Sequence, residues 1–239
     1  SRLEYCAGTN EYVYVKPELK NSIRELYKTY PEEAKEMFGE NPFELQNVLK
    51  YWVRNQIDDK QRSIIQMLVG AGASTKVIPT DTVYVTIDKE AVKRSGMLMA
   101  SDSIPDRMEI SLRGKNALYK GDMMMLEMVA QTNWERPIYV AMTVAAENYM
   151  NLGDNFVQEG LVNRITPFTT NIDGQPVAGA KTFDTKKTYD IVMNKFKFGG
   201  LEQPGIYLDE TVTRMCYTHR RLCVHLAMNL MKEGEEKKA

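Results

Sequence analysis

The spacing of apolar residues predicts a chain that mixes short strands with helices. Residues 11–16 alternate tyrosines with valines, and residues 108–112 alternate large apolar side chains with polar ones, which is the period of a strand. Residues 18–30 and 209–232 instead carry apolar side chains every three or four positions, the period of an amphipathic helix. The sequence therefore predicts an α/β fold, or a mixed α+β fold.

The middle of the chain predicts a helix followed by a strand. Residues 123–130 are apolar nearly all round, so we expect this helix to be buried between layers. After a turn at residues 133–137, residues 138–144 form a continuous apolar run, which is typical of a central strand with both faces covered. We expect helices packed on a mixed sheet that contains residues 138–144.

Loop composition and helix-capping residues divide the chain into two parts. Residues 169–179 are rich in Asn, Asp, Gly and Pro, as loops are. Asp184 and Asp209 each precede a helical stretch and are suited to cap it. We expect a mixed α/β domain over residues 1–183 and a helical C-terminal extension over residues 184–239.

Composition narrows the classes of partner. The chain has 31 Lys and Arg against 32 Asp and Glu, and 43% of its residues are hydrophobic, an ordinary globular balance. A basic excess or stripe is missing from the sequence, so we expect no nucleic-acid partner. Uninterrupted apolar runs stay well below the roughly 20 residues of a membrane helix, so we also expect no membrane span.

Cysteine and histidine cluster on the last predicted helix. Cys216, His219 and Cys223 share one helix face, and His225 points away from it. Structural zinc sites draw ligands from two separated segments, and the sequence has no second such cluster. The pattern favours packing of these residues in the core over a metal site. We expect no metal, no cofactor and no catalytic residue in this chain.

The segment Trp134-Glu135-Arg136 is a candidate binding site. An aromatic ring beside a guanidinium and a carboxylate, at the mouth of a parallel or mixed sheet, suits sugars or peptide carboxylates. The alternative is that Trp134 anchors the turn in the core while Glu135 and Arg136 pair on the surface. The sequence leaves both interpretations open.

Several segments, taken in order, resemble one family. They are Tyr119–Val129, Asn133–Ala141, Tyr149–Pro167 and Met193–Gly200, with Ile78–Thr80 and Val85–Val92 in addition. Together they resemble the C-terminal soluble part of a large family of multi-pass bacteroidete membrane proteins. That family is similar to protein O-mannosyltransferases, which are type C glycosyltransferases that use a lipid-linked sugar donor.

The resemblance implies that this chain is the periplasmic part of a membrane-anchored protein. The catalytic acidic residues would lie in an N-terminal transmembrane half of the same polypeptide, which would be one partner, and an acceptor protein or glycan would be another. Tyr149 and Arg164 lie within the matching motifs. They join Trp134, Glu135 and Arg136 as candidate ligand-binding residues.

Three functions follow as hypotheses. The first is an extracytoplasmic domain that binds or positions the acceptor polypeptide or the glycan. The second is a non-catalytic scaffold that uses the apolar stripe of the last helix, from Val212 to Leu230, for protein contacts. The third is a free-standing hydrolase, which would need a cleft with clustered carboxylates.

Overall fold

A computed structural model of the chain describes residues 12–172, 175–201 and 203–239. The fold is mixed α/β, as predicted, with the strands of the described part arranged in four small sheets. The chain forms two compact units. The first comprises the described part of Ser1–Gly96 with Ile104–Ile138 and Ala146–Gly153, and the second comprises Met97–Ser103, Tyr139–Ala145 and the described part of Asp154–Ala239.

The first unit combines helices with two small sheets. Its elements are β1 (Val13–Val15), α1 (Leu19–Thr29), α2 (Pro31–Phe38), α3 (Leu45–Asn47, continued as a π-helix over Val48–Val53), α4 (Asp59–Val69), β2 (Val77–Ile78), β3 (Thr82–Thr86), α5 (Lys89–Arg94), β4 (Arg107–Ser111), β5 (Ala117–Leu118) and α6 (Lys120–Thr132). Strand β1 is parallel to β2 and antiparallel to β5, which makes this sheet mixed. Strands β3 and β4 form a separate antiparallel pair.

Local sequence signals account for the packing of the first unit. Helix α4 begins with a capping box, in which the Asp58 carboxylate accepts from the Gln61 backbone N–H at 2.8 Å and the Gln61 side chain accepts from the Asp58 N–H at 2.7 Å. The apolar sides of α1, α2, α3 and α4 meet in one core, where the rings of Phe38 and Trp52 stack with centroids 5.7 Å apart.

The second unit is built on a three-stranded antiparallel sheet. Its elements are β6 (Tyr139–Ala141), β7 (Phe156–Glu159), β8 (Val162–Ile165), β9 (Asn171–Ile172), β10 (Gln175–Pro176), α7 (Thr185–Asp190, continued as a π-helix over Ile191–Lys195) and α8 (Glu210–Lys232). The strand order is β6-β8-β7, and β9 pairs with β10. Asp184 and Asp209 cap α7 and α8, as predicted. The predicted boundary between residues 183 and 184 falls inside this unit.

The prediction of a central strand over residues 138–144 is wrong. Only Tyr139–Ala141 forms a strand, and within the described residues β6 is hydrogen-bonded to β8 alone, at the edge of its sheet. Val140 is buried, whereas the Tyr139 side chain is 44% exposed. An unbroken apolar run does not distinguish a strand covered on one face from a strand covered on both.

Helix α6 is less buried than its sequence predicts. Met123 and Leu126 are buried, but Met128 is exposed, and a charged residue, Glu127, takes a buried position. The Glu127 carboxylate accepts from the guanidinium of Arg54 and from the Gln131 amide. These hydrogen bonds allow the charged Glu127 to be buried, so the surroundings of α6 are not apolar on all sides.

The prediction that the cysteines of α8 pack in a core is also wrong. Cys223 is exposed and Cys216 is half-buried. Leu222, Leu226 and Leu230 form the buried face of α8 instead. Side chains four positions apart define that face, and Cys223 lies beside it rather than within it.

Candidate functional site

The turn between α6 and β6 buries its aromatic ring. Trp134 is buried, and both it and Asn133 have positive φ angles, 62° and 47°, which reverse the chain tightly after α6. The indole N–H of Trp134 is buried and has no hydrogen-bond partner among the described residues. In this conformation the ring presents no face to a ligand. Trp134 anchors the turn, as the alternative interpretation expects.

Glu135 and Arg136 both lie on the surface. Within the described part of the chain, neither side chain forms an ion pair, so the surface pair that the alternative interpretation expects is not formed. Their role in ligand binding stays a prediction.

Tyr149 and Arg164 belong to different units. Tyr149 is half-buried in the first unit, where it follows a 3₁₀ turn over Ala146–Asn148. Arg164 lies on β8 of the second unit and is only 2% exposed. The five predicted residues are therefore divided between two units, and Arg164 has surroundings of its own.

Arg164 belongs to a partly buried group of polar and charged side chains around the β6-β8-β7 sheet. Its Nη1 lies 3.5 Å from Oε1 of Glu159, another nearly inaccessible side chain. Lys187 of α7 donates from Nζ to the same oxygen at 3.0 Å, and the Tyr139 hydroxyl donates to Glu159 Oε2 at 2.9 Å. Three elements thus supply partners to one carboxylate. We call these four residues the ionic cluster.

The strand register explains how the ionic cluster forms. Tyr139 on β6 lies directly opposite Arg164 on β8, and Arg164 lies opposite Val157 on β7. Side chains two residues apart on a strand share a face, so Glu159 shares a face with Val157 and hence with Arg164. Because an unpaired buried charge is costly, the carboxylate and the guanidinium are tolerated only together.

The ionic cluster fixes the orientation of an accessible ring. The Arg164 guanidinium lies over the Tyr139 ring, 6.0 Å from its centroid, while the Tyr139 hydroxyl is bound to Glu159. Burial of the phenol, followed by its hydrogen bond to the Glu159 carboxylate, raises the pKa of Tyr139, so the hydroxyl stays protonated as a donor at neutral pH. A half-exposed ring held in this way can contact a ligand with little loss of side-chain entropy.

Sequence reasoning named Arg164 and missed Tyr139, Glu159 and Lys187. One signal was available for Glu159, because Gly160-Leu161 separates two strand-like segments. A two-residue hairpin loop there places residue 159 opposite residue 162, and so places Glu159 and Arg164 on the same face. No comparable signal identifies Tyr139 or Lys187, which reach the carboxylate from other elements.

Two further observations concern metal binding and membrane spans in the described residues. Among them, His, Cys, Asp and Glu side chains form no group of three or more that could hold a metal ion. Every helix in the described part of the chain is too short or too polar to cross a bilayer.

Comparison with known proteins gives one family. The sequence model of the family TMEM260-associated domain 2 matches residues 1–187, which is more than half of the chain. In the same comparison, no curated protein and no solved structure matches the chain. The family's description associates this domain with a membrane protein. The chain therefore belongs to the TMEM260-associated domain 2 family.

Proposed function

We propose that this chain is the extracytoplasmic, periplasmic domain of a membrane glycosyltransferase-like protein, and that it binds the acceptor polypeptide or its glycan without performing catalysis. Family membership supports an association with a membrane protein. The ordered motifs from Tyr119 to Gly200 support the resemblance to protein O-mannosyltransferase-like proteins. The observation that carries the binding role is the exposed ring of Tyr139, which the ionic cluster fixes in place.

The position of Tyr139 suits an extended acceptor. The outer edge of β6 is not hydrogen-bonded to another strand of the described residues. An extended polypeptide can add to such an edge through backbone hydrogen bonds, while neighbouring side chains select its sequence. A Ser or Thr side chain of that polypeptide, or a sugar already attached to it, can then lie against the Tyr139 ring. Aromatic rings pack well against the C–H faces of sugars because both surfaces are apolar and flat.

A calorimetric or chemical-shift titration tests this proposal. The ligands are extended Ser/Thr-containing peptides, unmodified and mannosylated. We expect saturable binding that Tyr139→Ala removes. Tyr139→Phe should weaken it to a smaller extent, because phenylalanine preserves the ring but loses the hydroxyl bond to Glu159 that fixes it. Tyr30→Ala is the matched control, since Tyr30 is also an exposed tyrosine but lies in the first unit. Undiminished binding by Tyr139→Ala would contradict the proposal.

The same titration tests the exposed residues of the turn after α6. If Glu135 and Arg136 contact the acceptor, Arg136→Gln weakens binding of a peptide with a free carboxylate more than binding of its amide. Equal affinities of wild type and Arg136→Gln for both peptides would exclude a role for Arg136. That result leaves the role of Tyr139 unaffected, because the variants are independent.

A second candidate function is a protein scaffold that uses α8. Of the exposed apolar side chains on this helix, four lie at intervals of seven, four and three residues: Tyr217, Val224, Met228 and Met231. Such spacing brings them to the side of the helix opposite the buried Leu222, Leu226 and Leu230. The exposed patch therefore does not lie on the Val212–Leu230 stripe, where the sequence predicts it. The scaffold interpretation predicts that Val224→Lys abolishes capture of the membrane half while leaving acceptor binding unchanged.

A further inference from the structure

A concave site in the first unit has no role in the function proposed above. Its volume is about 540 Å³, within the range of small-ligand sites. The residues that matter for its chemistry are Tyr12, Tyr14, Asn55, Arg62, Gln66 and Lys76. We call it the tyrosine pocket.

One side of the tyrosine pocket is aromatic. Tyr12 precedes β1 and Tyr14 lies within it, two positions apart and therefore on the same face. Both are about half exposed, whereas Val13 and Val15 are buried on the other face. The Tyr12 ring meets the exposed Tyr119 edge to face, with centroids 5.2 Å apart. A sheet with one buried face thus presents an accessible aromatic surface on the other.

Other lining residues of the tyrosine pocket supply hydrogen-bonding groups. The Oδ1 atom of Asn55 is buried and has no hydrogen-bond partner among the described residues. Leaving a buried acceptor unsatisfied is unfavourable, so a rotation of the Asn55 amide that brings Oδ1 to the pocket surface gains a hydrogen bond from a ligand that donates one. Gln66 lies nearby on α4, and its Nε2 donates to the Gly70 carbonyl at 2.5 Å, which fixes the direction of the side-chain amide.

The charged side chains among the described lining residues of the tyrosine pocket are cationic. Arg62 lies one helical turn before Gln66 on α4, so both side chains are on the same side of the helix. Lys76 adds a second cation from the segment before β2. The described lining residues include no Asp or Glu. A planar guanidinium in these surroundings suits a carboxylate or a phosphate, which it can bind with two parallel hydrogen bonds.

We propose that the tyrosine pocket binds a pyranose that carries an acidic group. The tyrosine rings would pack against the C–H face of the sugar, and Arg62 would bind the anion. A sugar hydroxyl would donate to Oδ1 of Asn55 once the amide has rotated toward it. A neutral sugar leaves the guanidinium unused, and a simple anion leaves the aromatic surface and the Asn55 acceptor unused. The acidic group can be the carboxylate of a uronic acid or the phosphate of a sugar phosphate.

Titration of the whole chain with three matched ligands tests the ligand class. Methyl glucuronide and glucose 1-phosphate carry the two anions, and methyl glucoside is the neutral control. We expect saturable binding of at least one acidic sugar with a Kd of about 1 mM or below, and binding of the neutral sugar at least about tenfold weaker. Because the anion contact is partly exposed, affinity for the acidic sugar falls as salt increases. The tighter acidic ligand identifies the source of the anion.

Variants test the location of the site. Tyr14→Ala removes binding of both acidic and neutral sugars, since the aromatic surface contacts either. Arg62→Gln lowers affinity for the acidic sugar about tenfold, to the neutral level. Asn55→Asp keeps an acceptor and adds a negative charge, so it weakens acidic ligands and spares methyl glucoside. Tyr30→Ala and Arg94→Gln are the matched controls, and thermal unfolding shows whether each variant is folded.

Three outcomes would overturn this proposal. They are no saturable binding of any of the three sugars, equal affinity for acidic and neutral sugars, and undiminished acidic-sugar binding by Tyr14→Ala. Tyr139→Ala separates this site from the acceptor site. Loss of sugar binding in Tyr139→Ala but not in Tyr14→Ala assigns the sugar to the ionic cluster and refutes the tyrosine pocket. The reverse result supports the tyrosine pocket whether or not the proposed acceptor function holds.

Discussion

Among single residues, Glu159 should contribute strongly to stability, because its buried carboxylate is the shared partner of Arg164, Lys187 and Tyr139. Glu159→Gln keeps the shape of the side chain but removes the negative charge beside the buried Arg164 guanidinium. We expect the free energy of unfolding to fall by about 3 kcal/mol, measured by urea denaturation. Glu109→Gln, which removes the carboxylate of an exposed pair with Arg107, is the control and should cost less than about 1 kcal/mol. Equal losses in the two variants would mean that burial of Glu159 has no energetic consequence.

The lowered pKa of Asp81 predicts that the stability of the fold depends on pH. A hydrogen bond from Lys20 at 2.7 Å, assisted by one from Arg113 at 3.2 Å, lowers the pKa of Asp81 from 3.8 to about 2. Because the folded-state pKa lies below the unfolded one, the carboxylate stabilises the fold above about pH 4, and this contribution disappears as the pH falls to about 2. The stability difference between wild type and Asp81→Asn, measured by urea denaturation at each pH, should shrink over that window.

Asp106→Asn provides a comparison for Asp81. The hydrogen bond from Lys89 also lowers the pKa of Asp106, but that carboxyl is fully exposed. High salt should therefore erase the effect of Asp106→Asn, while the effect of Asp81→Asn persists in part, because the Asp81 pair is more sheltered from solvent. A pH-independent effect of Asp81→Asn would contradict the assigned pKa.

The candidate residues illustrate which parts of a site sequence reasoning can reach. Trp134, Glu135 and Arg136 are adjacent in sequence, so their chemistry was visible, but the positive φ angles that bury the Trp134 ring were not. Arg164 was found through a motif, yet its role depends on Tyr139 and Lys187, which come from other elements. Residue types are readable from the sequence, whereas side-chain direction across elements is set by the tertiary structure.

At the scale of elements, Gly39 should tolerate substitution poorly. It ends α2 with φ 83° and ψ 171°, a region that only glycine occupies readily, and an added Cβ would lie 2.7 Å from Nδ2 of Asn47. We expect Gly39→Ala to lower the free energy of unfolding by about 1–3 kcal/mol.

Gly121→Ala is the opposite case, because Gly121 lies in α6 with open space around it, so alanine should stabilise the helix by about 0.5 kcal/mol. Urea denaturation of both variants measures the contrast, and a loss of stability in both would contradict it.

Helices with local start signals were predicted well, and the pairing of strands was not. Asp88, Asp184 and Asp209 each cap a helix through their own carboxylates, so the information lies within four residues. The edge position of the strand at Tyr139–Ala141 is different, because it is set by pairing with β8, a strand about twenty residues further along the chain. Periodicity describes which faces of an element are apolar and does not specify its neighbours.

At the scale of the whole molecule, helix α8 determines how far along the chain the second unit extends. The family model stops at residue 187, and the sequence predicts a separate helical extension from residue 184. In the structure, α8 packs against α7 within the second unit, burying Leu222, Leu226 and Leu230. In addition, the Thr185 hydroxyl donates to the Glu233 carboxylate at 2.8 Å. These contacts indicate that α8 contributes to the stability of the unit that contains the ionic cluster.

Truncation tests this contribution. A chain that ends at Phe196 keeps all of α7 and lacks α8, so the apolar surface that the three leucines cover becomes exposed. Burial of each leucine contributes about 1.5–3 kcal/mol at most, and we expect a lower urea midpoint together with increased binding of a hydrophobic dye. A chain that ends at Gly234 removes only the exposed tail and should match wild type. Equal midpoints for the two truncated chains would mean that α8 is an independent extension, as its sequence predicts, and that the domain is complete without it.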